Sequence, residues 1–230
     1  DLQAYYSNQN TQDIGMRYVK GEYDTSICNS IVPCYKQFWY YYSNTPCWSG
    51  CSPVAAAIVY AYHSRVNHFG FTSTTLPVTN GAYYPLTVNL IDELRGYMNT
   101  FCSDSATNGI YSSTYAYNVQ NGIQYAQNHY PNSYKNFMYD LYDTPTPYNI
   151  FHNVKLRVDQ GKPTIIHISK SAGSGHTVVY GYRIDYNPST YYIAINVGWH
   201  NNLSHYIIHP GDFSFSGLNT IKGMTTYYFQ

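Results

Sequence analysis

Between Pro53 and His63 the chain loses its polar face. Ala55, Ala56, Ala57, Ile58, Val59 and Ala61 follow one another with no charged or amide side chain among them. Such a run predicts a helix buried all round, over about 52–66. Ser52 can cap it, and Pro53 suits its first turn. A helical spacing of apolar residues returns in "LTVNLIDELRGYMNT" (86–100), at Leu90, Ile91, Leu94 and Met98. A third helix is expected over 114–130, with Ile123, Ala126 and Tyr130 on one face. The stretch "NIFHNVKLRVDQGKP" (149–163) predicts a short helix stopped by Gly161 and Pro163.

Beyond that point the pattern changes period. "TIIHIS" (164–169), "HTVVYGYRID" (176–185), "YYIAINVGW" (191–199) and "HYIIHP" (205–210) are rich in β-branched and aromatic residues. The turn clusters "KSAGSG", "YNPST" and "HNNLS" separate them, and "MTTYYFQ" reads as a last strand. Helices first and antiparallel strands second is an α+β pattern. Residues 1–30 are polar and irregular, 31–44 read as an extended lead-in, and 70–85 as a Gly, Thr and Pro-rich connection. No internal repeat is visible. The expectation is one domain over 1–230, with a helical part at about 31–160 and a β part at about 161–230.

Composition narrows the function classes. The 230 residues carry 12 Lys plus Arg and 12 Asp plus Glu. A net charge near zero argues against nucleic acid or an anionic membrane as the main partner. Charged residues are 10% of the chain, against a usual share of about 25%. Tyrosine, with 30 copies, takes up the difference. The expected surface is therefore polar through hydroxyls and amides, which suits an extracellular setting. No apolar run approaches the length of a membrane-spanning helix, so no membrane insertion is expected. No basic start followed by an apolar core marks a signal peptide. The first residue is Asp1, and the reading is of a mature, processed product. One glycosylation sequon occurs, Asn202-Leu203-Ser204.

The five cysteines are Cys28, Cys34, Cys47, Cys51 and Cys102. An odd count in an extracellular chain suggests two disulfides and one free thiol, and spacing leaves the pairing open. No CxxC pair or His-x-x-x-His spacing supports zinc, and no cofactor is expected. Cys51 stands where the buried helix begins. There the helix dipole and free amides favour a thiolate, although a core or disulfide cysteine fits the same position.

A thiol nucleophile needs a base, an orienting group and oxyanion donors. His176 opens a strand after the flexible "SAGSG". Asn196 lies 20 residues further on, inside the next strand. A turn at about 186–190 would bring the two together, so that the Asn carbonyl fixes the imidazole tautomer. Asp185 is the alternative orienter, although its strand-end position also suits the turn. Gln37 can offer its amide N–H, with the Cys51 amide, to an oxyanion. Taken singly, a strand histidine also fits a packed residue, and Gln37 a surface residue.

The order of these residues resembles the papain-like cysteine peptidases, and within them the bacteriocin-processing, double-glycine branch and its secreted stand-alone relatives. The matching segments are "VPCYKQ" (32–37), "GCSPVAAAIVYAYH" (50–63), "DQGKPTIIHI" (159–168), "GHTVVYGYRID" (175–185) and "INVGWHN" (195–201). They cover about 31–66 and 149–201. The chain departs from the pattern in three ways. Gln37 lies 14 residues before Cys51, a longer gap than is usual. Ser52 stands where Gly is usual, and Asn196 where the bacteriocin-processing branch commonly has Asp.

The resemblance implies a papain-like two-lobed fold and a secreted cysteine endopeptidase. Cys51 would be the nucleophile, His176 the base, Asn196 its orienter and Gln37 an oxyanion donor. The partner would be a peptide or protein substrate. Trp199 would shield the Asn–His contact or simply pack in the core. By the same analogy Cys47 pairs with Cys102, leaving Cys28 with Cys34. Two other readings stand beside it. One is acyl transfer to an amine by the same triad. The other is an extracellular structural, adhesive or filament-forming protein on a peptidase-like fold, a homo-oligomer or polymer assembled through Tyr-rich surfaces.

Overall fold

The computed structural model describes residues 14–18, 35, 37–42, 45–65, 85–105, 109–131, 135–141, 146–170, 173–186, 189–196, 198, 205–212 and 219–229. Cys28, Cys34 and Trp199 lie outside them. The expected Cys28–Cys34 pair and the shielding role of Trp199 therefore fall outside the described residues.

The architecture is α+β. The first long helix, α1 (Cys51–Arg65), is followed by α2 (Pro85–Tyr97), a 3₁₀ segment (Ala116–Gly122), α3 (Ile123–His129) and α4 (Pro147–Asp159). The strands are β1 (Ile14–Tyr18), β2 (Trp39–Tyr42), β3 (Thr45–Trp48), β4 (Phe101–Ser105), β5 (Gly109–Ser113), β6 (Lys135–Leu141), β7 (Thr164–Lys170), β8 (Gly173–Tyr186), β9 (Ser189–Asn196), β10 (His205–Ile208) and β11 (Thr220–Phe229). A seven-stranded sheet runs in the order β10-β9-β8-β7-β11-β6, and β1 adds to β8. Its pairs are antiparallel. β2–β3 and β4–β5 form two separate hairpins.

Helices cover both faces of the sheet, which is why its strands read as nearly continuous apolar runs. On one face, Tyr60 of α1 meets Tyr227 and Phe229 of β11. On the other, Phe151 of α4 packs on Tyr182 and Tyr191, and Lys162 sits over Tyr228. α1 is buried as its composition requires: Val54 to Tyr62 are all 2% exposed or less.

The predicted third helix is split in two. Tyr227 Oη donates to Val119 O at 2.6 Å, and Tyr60 Oη donates to Gly122 O at 2.9 Å. These hydroxyls take carbonyls that a continuous helix would use. A Cβ on Gly122 would lie 2.3 Å from Tyr227 Oη, so the tight approach requires glycine. Tyrosine is thus a core residue here as well as a surface one. Tyr35, Tyr60, Tyr62, Tyr180 and Tyr227 are all fully buried.

α4 begins at Pro147, two residues before the expected start. Thr146 caps it by accepting from Asn149 N at 3.2 Å. Past its end Gly161 takes φ +71°, as the predicted stop requires. The strands β1 and β3–β6 were not foreseen. β2 occupies part of the expected lead-in.

Candidate active site

Chain geometry delivers Cys51 to the sheet. Gly50 adopts φ +98°, a left-handed conformation that suits glycine, and its carbonyl accepts the first α1 bond from Val54 N at 3.4 Å. Cys51 therefore occupies the first helical position. The approach to it is held from several sides. Arg95 donates to Ser49 O at 2.6 Å and to Trp48 O at 3.0 Å. Ser49 N donates to Phe38 O at 2.8 Å. The disulfide Cys47–Cys102 ties β3 to β4, as the resemblance implied. Cys51 is the free thiol among the described cysteines and is partly exposed.

Across from the helix start, Cys51 Sγ lies 3.8 Å from His176 Nδ1. Ser52 Oγ approaches the same nitrogen at 2.7 Å. The cap expected of Ser52 is not its role. It lies inside the helix, and its buried hydroxyl turns to the imidazole. Gln37 comes to the same place: its Oε1 accepts from Gly50 N at 3.2 Å, which leaves the amide NH₂ as the donating end.

The register sets the two expected orienters at very different distances from the imidazole. Asn196 is paired with Val178, two residues along β8 from His176. It is fully buried on the same face, as a diagonal neighbour rather than a direct one. Thr177 Oγ1 donates to its backbone carbonyl. Asp185 sits nine residues up β8, roughly 30 Å of strand away, and bonds to Arg183 at 3.0 Å. At His176 Nε2 the hydrogen bond is to His167 Nδ1, at 2.8 Å. His167 Nε2 in turn meets Thr225 Oγ1 at 3.0 Å.

His167 was missed in the sequence because "TIIHIS" reads as an ordinary apolar strand. Only the β7–β8 register sets His167 directly across from His176.

Burial governs the electrostatics. It pushes the Cys51 thiol above its usual value, against the lowering effect of hydrogen bonds from the His176 backbone, the Ser52 hydroxyl and the helix-start amides. It lowers His176 from 6.5 to about 4 and His167 well below 6.5. Burial thus favours the uncharged form of each group, against the helix-start effect that favours a thiolate. A neutral imidazole is the form that can accept a proton.

The solved structures with this arrangement of elements include active wild-type interpain A from Prevotella intermedia, a cysteine protease. The match has a TM-score of 0.54 at 11% identity and covers 85% of this chain and 91% of that one. The fold is that of a cysteine peptidase. A fragment of prointerpain A from the same organism matches with a TM-score of 0.50 at 14% identity, covering 98% of this chain and 78% of that one. No protein-family model matches the sequence, and no curated protein matches it. Within this peptidase fold, Cys51 stands at the start of the buried helix and His176 on the sheet facing it.

Proposed function

We propose that the chain is a secreted cysteine endopeptidase that hydrolyses peptide bonds through Cys51 and His176. The observation that carries the reading is Cys51 Sγ at 3.8 Å from His176 Nδ1, with the thiol at the first turn of a buried helix. The Cys47–Cys102 disulfide supports an oxidising, extracellular setting.

The chemistry follows from the geometry. His176 Nδ1 takes the Cys51 proton as Sγ bonds to the substrate carbonyl carbon. The carbonyl oxygen becomes an oxyanion, held by the Cys51 amide and the Gln37 NH₂. The proton on Nδ1 passes to the leaving amine as the C–N bond breaks. Water, activated by the same nitrogen, then releases the acyl group and restores the thiol. Asn196 remains in the proposal as a buried polar neighbour that helps to orient His176, diagonal to it on the adjacent strand. Cleavage of a mixed peptide library by the wild type, lost in Cys51→Ala and in His176→Ala, tests the reading; cleavage by the variants at the wild-type rate would sink it.

One observation favours the assembly reading alongside. Phe101, Tyr115 and Tyr117 are exposed; Tyr115 stacks on Tyr117 at 5.5 Å and meets Phe101 at a tilt at 5.6 Å. Electron microscopy of wild type and Cys51→Ala across a salt series tests it. Monodisperse monomers at every concentration would count against it.

A further inference from the structure

We propose that His167 is the positioning residue of this site. It accepts the His176 Nε2–H, fixes the tautomer in which Nδ1 presents its lone pair to Cys51 and Ser52, and is itself locked by Thr225. The inference rests on the Cys51–His176 reading above and adds a residue to it.

The argument is one of donors and acceptors. A bond between two neutral imidazoles needs one N–H and one lone pair, so the two tautomers are coupled. For His176 to serve as base, Nδ1 must carry its lone pair toward Cys51, and the proton must sit on Nε2. That N–H then donates to His167 Nδ1 at 2.8 Å. His167 must in turn carry its own proton on Nε2, where Thr225 Oγ1 accepts at 3.0 Å. The chain from Thr225 to Cys51 is thereby set in one direction.

The packing holds this arrangement. His167 and His176 are directly paired across β7 and β8, and their rings stand at 86° with centroids 4.6 Å apart. Both are nearly fully buried, at 4% and 3% exposed. Tyr139 of β6 closes the far side of His167 edge-on at 5.6 Å. The titratable groups in contact with His167 among the described residues are His176 on β8 and Tyr139 on β6. β11 presents the neutral Thr225, and α1 brings Cys51 to the opposite side of His176.

When His176 takes the thiol proton it becomes an imidazolium with both nitrogens donating: Nδ1–H to the sulfur and then the leaving amine, Nε2–H to His167. An uncharged acceptor therefore stabilises the cation while it exists, without a permanent buried charge on the sheet.

The test is the rate of Cys51 alkylation by iodoacetamide against pH, with kcat and KM for a peptide substrate, in wild type, His167→Leu, His167→Gln and Thr225→Val. His167→Leu is expected to lower both the alkylation rate and kcat at neutral pH by about 100-fold with KM little changed. Its acid limb moves to lower pH, because the His176 cation has lost its acceptor. His167→Gln, which keeps an acceptor, recovers part of the rate and of the limb's position. Thr225→Val, close in volume, lowers kcat severalfold and serves if the Leu variant fails to fold. Unchanged pH profiles and rates in folded His167→Leu and Thr225→Val would overturn the inference. That result would leave the Cys51–His176 reading standing as long as labelling still requires His176. Absence of selective Cys51 labelling in the wild type would instead overturn that reading, and this inference with it.

Discussion

Ser52 Oγ lies 2.7 Å from His176 Nδ1, inside the 3.8 Å that separates the same nitrogen from Cys51 Sγ. The residue next to the nucleophile thus competes with it for the base. Ser52→Ala removes the competing hydroxyl. The hydrogen bond it loses is worth roughly 1 kcal/mol, so Cys51 alkylation should rise about fivefold and stability fall by a similar free energy. Rates of iodoacetamide labelling and denaturant midpoints measure both. A slower-labelling variant would show instead that Ser52 holds the imidazole in place for Cys51.

Gln37 reaches the site from outside the helix, tethered through its carbonyl to the Gly50 amide. Gln37→Ala removes one oxyanion donor. It should lower kcat about 100-fold and leave KM nearly unchanged. A rise in KM at constant kcat would place Gln37 in ground-state substrate binding.

Acid should weaken the fold through the two histidines. Their folded-state values lie below the ordinary 6.5, with His176 at about 4. The unfolded chain therefore binds more protons over that interval. The stability they contribute is fully present above about pH 6.5 and is lost as pH falls toward 4. For His176 alone the loss is roughly 3 kcal/mol. Urea titrations of wild type and His176→Gln at pH 7 and pH 4.5 measure it. The wild type should lose markedly more stability than the variant over that step; equal losses would contradict burial as the cause of the shift.

The Cys47–Cys102 bridge closes a loop of sequence separation 55 and anchors β3, which leads into Cys51. Replacing both cysteines by Ala should cost about 2–5 kcal/mol. It should also slow Cys51 labelling, because the turn at Ser49 and Gly50 is left to Arg95 and Phe38. Thermal melts together with labelling rates check this. A large loss of stability with unchanged labelling would confine the bridge to the fold.

How much of this was legible in the sequence depended on how local each signal was. α1 was readable because its apolar run is continuous. β7–β9 were readable because β-branched and aromatic residues stand between clear turn clusters. The split after Gly122 was not, since the hydroxyls of Tyr60 and Tyr227 arrive from distant elements and claim carbonyls of Gly122 and Val119. β6 was not either: Lys135–Leu141 mixes charge and apolar residues at a sheet edge, and only pairing with β11 makes it a strand. At the site, Cys51, His176 and Gln37 are brought to one place. Asn196 depended on register, which places it opposite Val178 and diagonal to His176 on the same face. His167 required the β7–β8 register as well, a non-local fact that periodicity alone does not carry.

The central claim is that Cys51 is a nucleophile activated by His176. The most direct measurement is mass-spectrometric mapping of a peptide-linked epoxide on native protein and on folded His176→Ala. The account predicts a single adduct, on Cys51, formed near neutral pH and lost in the variant. Labelling of Cys51 at the same rate in both proteins, or no adduct on Cys51 in the native protein, would contradict it.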